Sequence, residues 1–373
     1  MAEAILPRFL ATKSGDSDMA VLNDEQTMLR DMVREWADNE APVAAFRKMR
    51  AAAPAEGYDP GTWATLAEMG LGGIVIPEAF GGTGFCYLSL GLVLEQLGRN
   101  LAASPLAASA AAASAIVMGG SDAARAEWLP RIASGEVVAT LAVDEGPVHA
   151  PTGLATQVVD GALTGTKMFV AEGDGATLFV VAAADGLYLV SGDTGVTRAS
   201  RAMADSRSHA EVRFDAAPAI RLGDATLTAQ VVDRATAIVC AEMLGMAEQA
   251  FHTTNDYLKT RVQFGQQLST FQALQHRMAK LFTELELMRS AVEGALEAID
   301  AGRSDLDQSV SLAKAIASDT LNLMSREMIQ LHGGIGMTDD YDAGFYIKRA
   351  RVLEAMWGNA AYHRERFARL NGY

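Results

Sequence analysis

Residues Tyr257 to Ala279 read YLKTRVQFGQQLSTFQALQHRMA. Helical spacing runs through Tyr257, Arg261 and Phe264 and stops at Gly265, the residue type that ends helices in a left-handed turn. Ser269-Thr270-Phe271-Gln272 fits the S-x-x-Q capping box, so a second helix is expected to start at Ser269. One helix therefore gives way to another within a few residues, with Arg261 beside the break. An arginine there offers a planar, permanently charged fork suited to a phosphate.

Downstream, Phe271, Leu274, Met278, Leu281, Leu285, Met288 and Val292 form a continuous apolar stripe at helical period. A second stripe runs from Leu306 through Val310, Ala313, Ala317, Leu321, Met324 and Met328 to Leu331, preceded by Ser304 with Asp307 as a capping box. With the helix before Phe264 and a segment from about 345 to 370, these predict a four-helix bundle over residues 225–373. Upstream, residues 137–224 change period. Val137 to Val143, Leu178 to Ala183, Leu187 to Val190 and Glu211 to Phe214 have strand composition. Asp160-Gly161, Asp174-Gly175 and Asp185-Gly186 supply turns, and the pattern predicts a small β-barrel or sandwich. Residues 1–136 read as a helical domain: an amphipathic helix over 24–50 with Met28, Met32, Val33 and Trp36 on its apolar side, then helices at Pro60 to Met69, Leu88 to Leu97, Leu106 to Met118 and after Ser121. The expected fold class is α with a β insert.

At 373 residues the chain is long for one core. Half its residues are hydrophobic and 21% charged, which suits a large globule rather than a disordered chain. A net charge of −15 opposes binding to nucleic acid or anionic membranes. Cys86 and Cys240, its two cysteines, are too few for a disulfide framework or structural zinc and fit a reducing cytoplasm. No metal site is expected. The uncharged run Leu101 to Gly120 is mostly alanine and serine, so a closely packed buried helix is expected rather than a membrane span. Met1 to Leu22 lacks the basic-then-apolar order of a secretory signal.

Some seventy residues after Arg261 comes Gln330-Leu331-His332-Gly333-Gly334-Ile335-Gly336, where a long helix stops in paired glycines. R-x-x-F-G, then F-Q, then Q-x-x-G-G-x-G resembles the carboxy-terminal half of the acyl-CoA dehydrogenase family. The resemblance continues upstream in Trp63 to Leu71, Ile76-Pro77-Glu78-Ala79-Phe80-Gly81-Gly82 and Glu95-Gln96-Leu97-Gly98-Arg99, and so covers nearly the whole chain. It implies α,β-desaturation of an acyl-CoA thioester. A base takes a proton from the α carbon while hydride leaves the β carbon for FAD. Carried over, Arg261 and Phe264, with Gln263 beside them, reach FAD seated mainly on a neighbouring subunit. Gln330, Gly333 and Gly334 approach the same nucleotide, and glycine permits close backbone approach there.

The sequence departs from the family where a chain holds its own flavin. The usual T-E-P-x-x-G-S-D segment is replaced by Val143-Asp144-Glu145-Gly146-Pro147 through Gly153. The usual W-[IV]-T-N becomes Phe169-Val170-Ala171-Glu172. Phe169 keeps a ring for the isoalloxazine, while Ala171 lacks the hydroxyl. Both positions of the family's catalytic glutamate are also lost, falling on Trp357 and Ala235, neither of which can accept a proton from carbon. Glu242 lies two helical turns from Ala235 on the same face and is the candidate substitute base, its pKa expected to rise with burial. Asp233 is expected near the surface. Lys167 is expected in a turn, His332 and His363 at a helix end or the surface, and the cysteines in the core.

Three readings follow. In the first, the chain is one subunit of a heteromeric acyl-CoA dehydrogenase. Its ending, Tyr341 to Phe345 through Arg351 to Tyr373, resembles the small (β) subunits of bacterial enzymes of the pimeloyl-CoA or steroid side-chain type. A related subunit in a heterotetramer, an acyl-CoA substrate and electron-transfer flavoprotein as acceptor are then implied. In the second, it is a homo-oligomeric dehydrogenase using Glu242. The third is a non-catalytic relative of the same fold, whose expected basic patch the net charge opposes.

Overall fold

The computed structural model describes residues 22–373. The expectation about a secretory signal therefore falls, Leu22 apart, outside the described residues. Asn23 opens α1 (Asp24–Glu40) with a capping box shared with Gln26. Pro42 separates it from α2 (Val43–Ala52), so residues 24–50 form two helices rather than one. The buried stripe of α1 is Leu29, Val33 and Ala37, whereas Met28 and Met32 are 72% and 45% exposed, against expectation.

Asp59 caps α3 (Pro60–Glu68), and Gly70 closes it at φ 80°. Then come α4 (Tyr87–Arg99), α5 (Leu106–Gly119) and α6 (Asp122–Ala133), the last capped by Ser121 at the Ala124 amide. The alanine-rich run is α5. It is buried almost all round because small side chains let its neighbours approach closely. Among the described residues no helix is long and apolar enough to cross a membrane.

Seven strands follow: β1 (Ala139–Ala142), β2 (Gln157–Val159), β3 (Ala162–Ala171), β4 (Leu178–Ala183), β5 (Gly186–Ser191), β6 (Val196–Ser200) and β7 (His209–Gly223). The sheet runs β1-β4-β5-β7-β3-β2 with β6 on β7, and β1 with β4 is its parallel pair. β7 is long enough to pair first with β3 and β6 and then, beyond Pro218, with β5. Asp160-Gly161 turns β2 into β3 with both residues at positive φ, as a two-residue hairpin requires. β3 breaks register with β7 between Lys167 and Val170, where Phe169 takes φ 52°, and the next residue past the strand, Glu172, takes φ 57°.

The C-terminal part consists of α7 (Ala225–Thr260), a short hairpin β8 (Val262–Gln263) and β9 (Gln266–Gln267), then α8 (Gln272–Asp300), α9 (Leu306–His332), α10 (Ala343–Ala355) and α11 (Ala360–Leu370). Three details correct the sequence reading. Phe264 and Gly265, at φ 56° and 81°, make the tip of the β8–β9 hairpin, so Gly265 turns a hairpin and does not end a helix. Neither expected capping box forms: α8 starts at Gln272 behind Phe271, and α9 behind Asp305, both without a side-chain cap. The last segment is two helices, broken at Met356–Asn359.

The two apolar stripes are buried from Met278 to Val292 and from Val310 to Leu331. Each such Leu or Met contributes roughly 1.5–3 kcal/mol by burial. α4 crosses α7 with no space for side chains. A Cβ on Gly98 would stand 2.3 Å from the Glu242 carbonyl oxygen, and one on Gly245 1.8 Å from that of Glu95. This crossing fixes the depth at which α7 carries Glu242.

Candidate active site

Two cavities meet at Trp357. One, of about 40 Å³, lies between α4, α5, α7 and the sheet, and Ala235, Glu242, Glu172, Arg207 and Arg349 line it. The other, of about 220 Å³, is bounded by Val143, Asp144, His149, Phe169 and Met203. Leu141, Ala171, His209, Met356 and Trp357 border both. Both positions where the catalytic glutamate is missing, Ala235 and Trp357, thus face the smaller cavity.

The break between α10 and α11 places Trp357. Its φ is 56°, and the turn is held by Lys314, fully buried on α9, which donates to the carbonyls of Leu353, Glu354 and Gly358 at 2.8, 3.1 and 3.0 Å. Burial lowers the Lys314 pKa to about 8. His363 Nε2 donates to the Trp357 carbonyl at 2.8 Å; it is buried rather than on the surface, and burial takes its pKa down to about 3.

Glu242 faces the small cavity, as its spacing from Ala235 predicts, but in a different electrostatic state. Arg349 Nε and Nη2 donate to its two oxygens at 2.9 Å each, and Arg207 Nη2 stands 3.6 Å from Oε1. Arg349 Nη1 also donates to Asp205 at 2.7 Å. Burial alone would raise the Glu242 pKa; Arg349 and Arg207 outweigh it and hold the carboxyl below its usual range, reversing the expected rise. Glu172 lies beside this group, buried, with Oε2 unpartnered among the described residues. Burial drives its pKa to about 8, opposed by Arg207 and Arg349 and reinforced by Asp205 and Glu242. The two arginines already balance the two ionised carboxylates, so a third negative charge is disfavoured.

Further expectations change. Asp233 is buried, not exposed, and pairs with both terminal nitrogens of Arg366 at 2.5 and 2.9 Å. Lys167 is fully buried within β3 and donates to the Val143 carbonyl and to Glu145 at 2.9 and 2.8 Å. Glu145 also accepts from the Ala155 and Thr156 amides, so Lys167 and Glu145 together pin the altered Val143–Gly153 segment. Despite burial, those bonds bring the Glu145 pKa to about 2. Cys240 is buried and Cys86 half-buried.

The nucleotide motifs lie elsewhere, at the surface end of the bundle. His332 stacks between Tyr257 and Tyr341, at ring distances of 4.2 and 4.7 Å. Its Nδ1 donates to the Met328 carbonyl at 2.6 Å, leaving Nε2 to accept from the Tyr341 hydroxyl at 2.8 Å. The Tyr257 hydroxyl donates to the His332 carbonyl, tying the end of α7 to the end of α9. This brings together Arg261 with Gln263 and Phe264, and Gln330 with Gly333 and Gly334. All six are exposed, Phe264 by 90%, and a Cβ added at either glycine would meet nothing within 4 Å. Phe169 stands apart, half-exposed on the larger cavity.

Residues 23–136 match the acyl-CoA dehydrogenase N-terminal domain and residues 226–370 the acyl-CoA dehydrogenase C-terminal domain. The chain belongs to the acyl-CoA dehydrogenase family. The acyl-CoA dehydrogenase IpdE2 of Mycolicibacterium smegmatis is 32% identical over 339 residues, 90% of this chain and 96% of that one. A variant of the Tcur3481–Tcur3483 steroid ACAD superposes with a TM-score of 0.88 at 31% identity, covering 93% of this chain and 98% of that one. One chain of the ChsE4–ChsE5 complex from Mycobacterium tuberculosis shares the fold at a TM-score of 0.87 and 24% identity, over 95% and 99% of the two chains. The helical, mixed-sheet and helical parts are therefore the acyl-CoA dehydrogenase fold, and the chain is an oxidoreductase acting on an acyl-CoA.

The residues missed by sequence reasoning are Glu172, Asp205, Arg207, Arg349 and Lys314. Only Glu172 carried a signal, since it stands in the altered Phe169-Val170-Ala171-Glu172 segment where the family has asparagine.

Proposed function

We propose that this chain is one subunit of a heteromeric, FAD-dependent acyl-CoA dehydrogenase that desaturates an acyl-CoA thioester between its α and β carbons. The observation that carries the reading is the exposed motif surface at the end of the bundle. Arg261, Gln263, Phe264, Gln330, Gly333 and Gly334 are brought together there, open to solvent. A dinucleotide held mainly by a neighbouring chain fits that arrangement. Arg261 would fork onto the pyrophosphate, Phe264 would cover the nucleotide and the two glycines would let backbone approach it. When bound, FAD supplies the hydride acceptor. This chain's part is to bind and orient it, with Phe169 facing any flavin ring seated in its own larger cavity.

A related but different partner chain, in a heterotetramer, supplies the barrel motifs that are altered here at Val143 to Gly153 and Ala171. The Tcur3481–Tcur3483 and ChsE4–ChsE5 pairings support such an arrangement. Residues 1–136, 137–224 and 225–373 serve as its helical, β and bundle domains. Electron-transfer flavoprotein is the proposed acceptor and the cytoplasm the proposed location. The test is to purify the chain alone and with dehydrogenase chains encoded beside it, then measure FAD per chain and bleaching by acyl-CoA. Flavin retention and turnover that need the partner are expected. A lone chain that binds one FAD per subunit and turns over at full rate overturns the heteromer.

A further inference from the structure

The loop that carries Gly333 and Gly334 is held from outside the bundle it belongs to. Gly334 has no reason in this chain's own packing to be glycine. It lies outside the positive-φ region, and a Cβ there would meet nothing within 4 Å. Gly336, two residues on, is seated on α9, where a Cβ would stand 2.8 Å from the Ile329 carbonyl oxygen. The open glycines thus sit on the outer side of an anchored turn. Tyr341 closes the loop at its base on His332 Nε2. Its far end is gripped by α2, from Arg47, 295 residues before Asp342. Arg47 Nη1 donates to the Asp339 carbonyl and Nη2 to the Asp342 carboxylate, both at 2.6 Å. Arg50 Nη1 donates to the Asp339 carboxylate at 2.8 Å. Both guanidinium groups also lie over the ring of Phe345 on α10, 4.6 and 5.2 Å from its centroid.

Exposed ion pairs stabilise a fold little, because solvent screens them and long side chains must be ordered to make them. The side chains of Arg47 and Arg50 are 35% and 32% exposed, and those of Asp339 and Asp342 more so. Fold stability therefore does not account for so many contacts on one short loop; what the loop presents does. We propose that Arg47 and Arg50 are positioning residues for the dinucleotide surface. They fix the backbone of residues 333–342 in the shape that Gly333 and Gly334 offer to FAD held by a neighbouring chain. The inference rests on the heteromeric reading above and deepens it. The N-terminal helical part, far in sequence from Arg261, Gln330 and the glycines, sets how tightly they bind. The physical basis is preorganisation: a loop already held loses less conformational freedom when a ligand seats on it. The clamp reaches the other motif through Tyr341 and His332, whose carbonyl accepts from Tyr257 in the last turn of α7 before Arg261. Neither arginine touches the nucleotide; both act through the loop.

The test uses this chain assembled with the dehydrogenase chain that loads FAD. The parent is compared with Arg47→Met plus Arg50→Met, with Arg47→Lys plus Arg50→Lys, and with Arg261→Lys. Met keeps the apolar stem of each arginine and removes its donors, whereas Lys keeps the charge and loses the fork. FAD affinity, melting temperature, KM for an acyl-CoA that bleaches the parent, and amide hydrogen exchange over 333–342 are measured. The double Met variant is expected to weaken FAD binding about tenfold and to speed exchange over 333–342 by a similar factor. Its melting temperature should stay within about 2 °C of the parent, because the pairs are exposed, and its acyl-CoA KM should not change. The double Lys variant should fall between. If the Met variant does not fold, Asp339→Asn plus Asp342→Asn breaks the same ion pairs from the loop side and should move FAD affinity and exchange the same way. FAD affinity and exchange that match the parent overturn the assignment. Faster exchange with unchanged FAD affinity also overturns it, leaving the clamp a purely structural contact. In either case, weakened FAD binding in Arg261→Lys leaves the dinucleotide surface standing. FAD affinity untouched by Arg261→Lys as well, or no assembly that retains FAD, overturns both.

Discussion

Arg349 on α10 holds both oxygens of Glu242 on α7, Nε to Oε1 and Nη2 to Oε2, each at 2.9 Å. The pair is buried and joins two helices of the bundle across the wall of the small cavity. Removing one partner of such a pair leaves a buried charge uncompensated. Arg349→Met should therefore destabilise the protein by about 3–5 kcal/mol, measured by denaturant unfolding. A loss below about 1 kcal/mol would mean that the clamp is not a stabilising element of the fold.

Glu172 ties stability to pH with a defined sign. Its pKa is about 8 in the fold against an ordinary value of 4.5, so between those values the folded state keeps a proton that the unfolded state has released. Stability from this group is full below about pH 4.5, declines as pH rises and levels off above about 8. The slope is on the order of 1 kcal/mol per pH unit. Glu172→Gln should flatten the decline when urea midpoints are compared between pH 5 and 8, and parallel curves for parent and variant would contradict it.

Lys314 places all three of its donors on the Leu353, Glu354 and Gly358 carbonyls around the Trp357 turn. Lys314→Met preserves length and apolar contact but leaves those carbonyls without their donor. A destabilisation of roughly 2–4 kcal/mol is expected, with a change in Trp357 fluorescence as the turn loosens. An unaltered melting temperature would show that the turn holds without the lysine.

Arg261 is exposed at the surface end of the bundle, so its substitution should spare the fold. Arg261→Lys keeps the charge but loses the fork, and FAD affinity in the assembled enzyme should weaken by roughly 1–3 kcal/mol. Unchanged flavin retention on gel filtration would remove Arg261 from the cofactor surface.

The α4–α7 crossing depends on two glycines. Gly245→Ala puts a methyl 1.8 Å from the Glu95 carbonyl oxygen, and neither backbone can withdraw without disturbing the bundle. A loss of more than about 2 kcal/mol in chemical denaturation is expected. A neutral result would mean the helices slide apart at little cost.

Periodicity determined much of this protein. The stripes from Met278 to Val292 and from Val310 to Leu331, the hairpin turn at Asp160-Gly161 and the buried alanine run of α5 were all legible, because burial imposes local repeats that a linear chain displays. Helix ends were less so. Pro42, Gly265 and the break at Met356–Asn359 each redirect the chain by a few residues, and capping patterns at Ser269 and Ser304 went unused. The sequence also placed Glu242 on the cavity-facing side of α7, since two helical turns return to one face. Its protonation state lay beyond reach. That depends on Arg349, which is 107 residues away, and on Asp205 and Arg207, brought in by the β6–β7 connection. Tertiary structure alone decided that Glu242 is held as a paired carboxylate while the carboxyl of Glu172, at a strand end, is buried without a partner among the described residues. A carboxyl group's pKa is set by the charges and solvent around it in space, and neither can be counted along the chain.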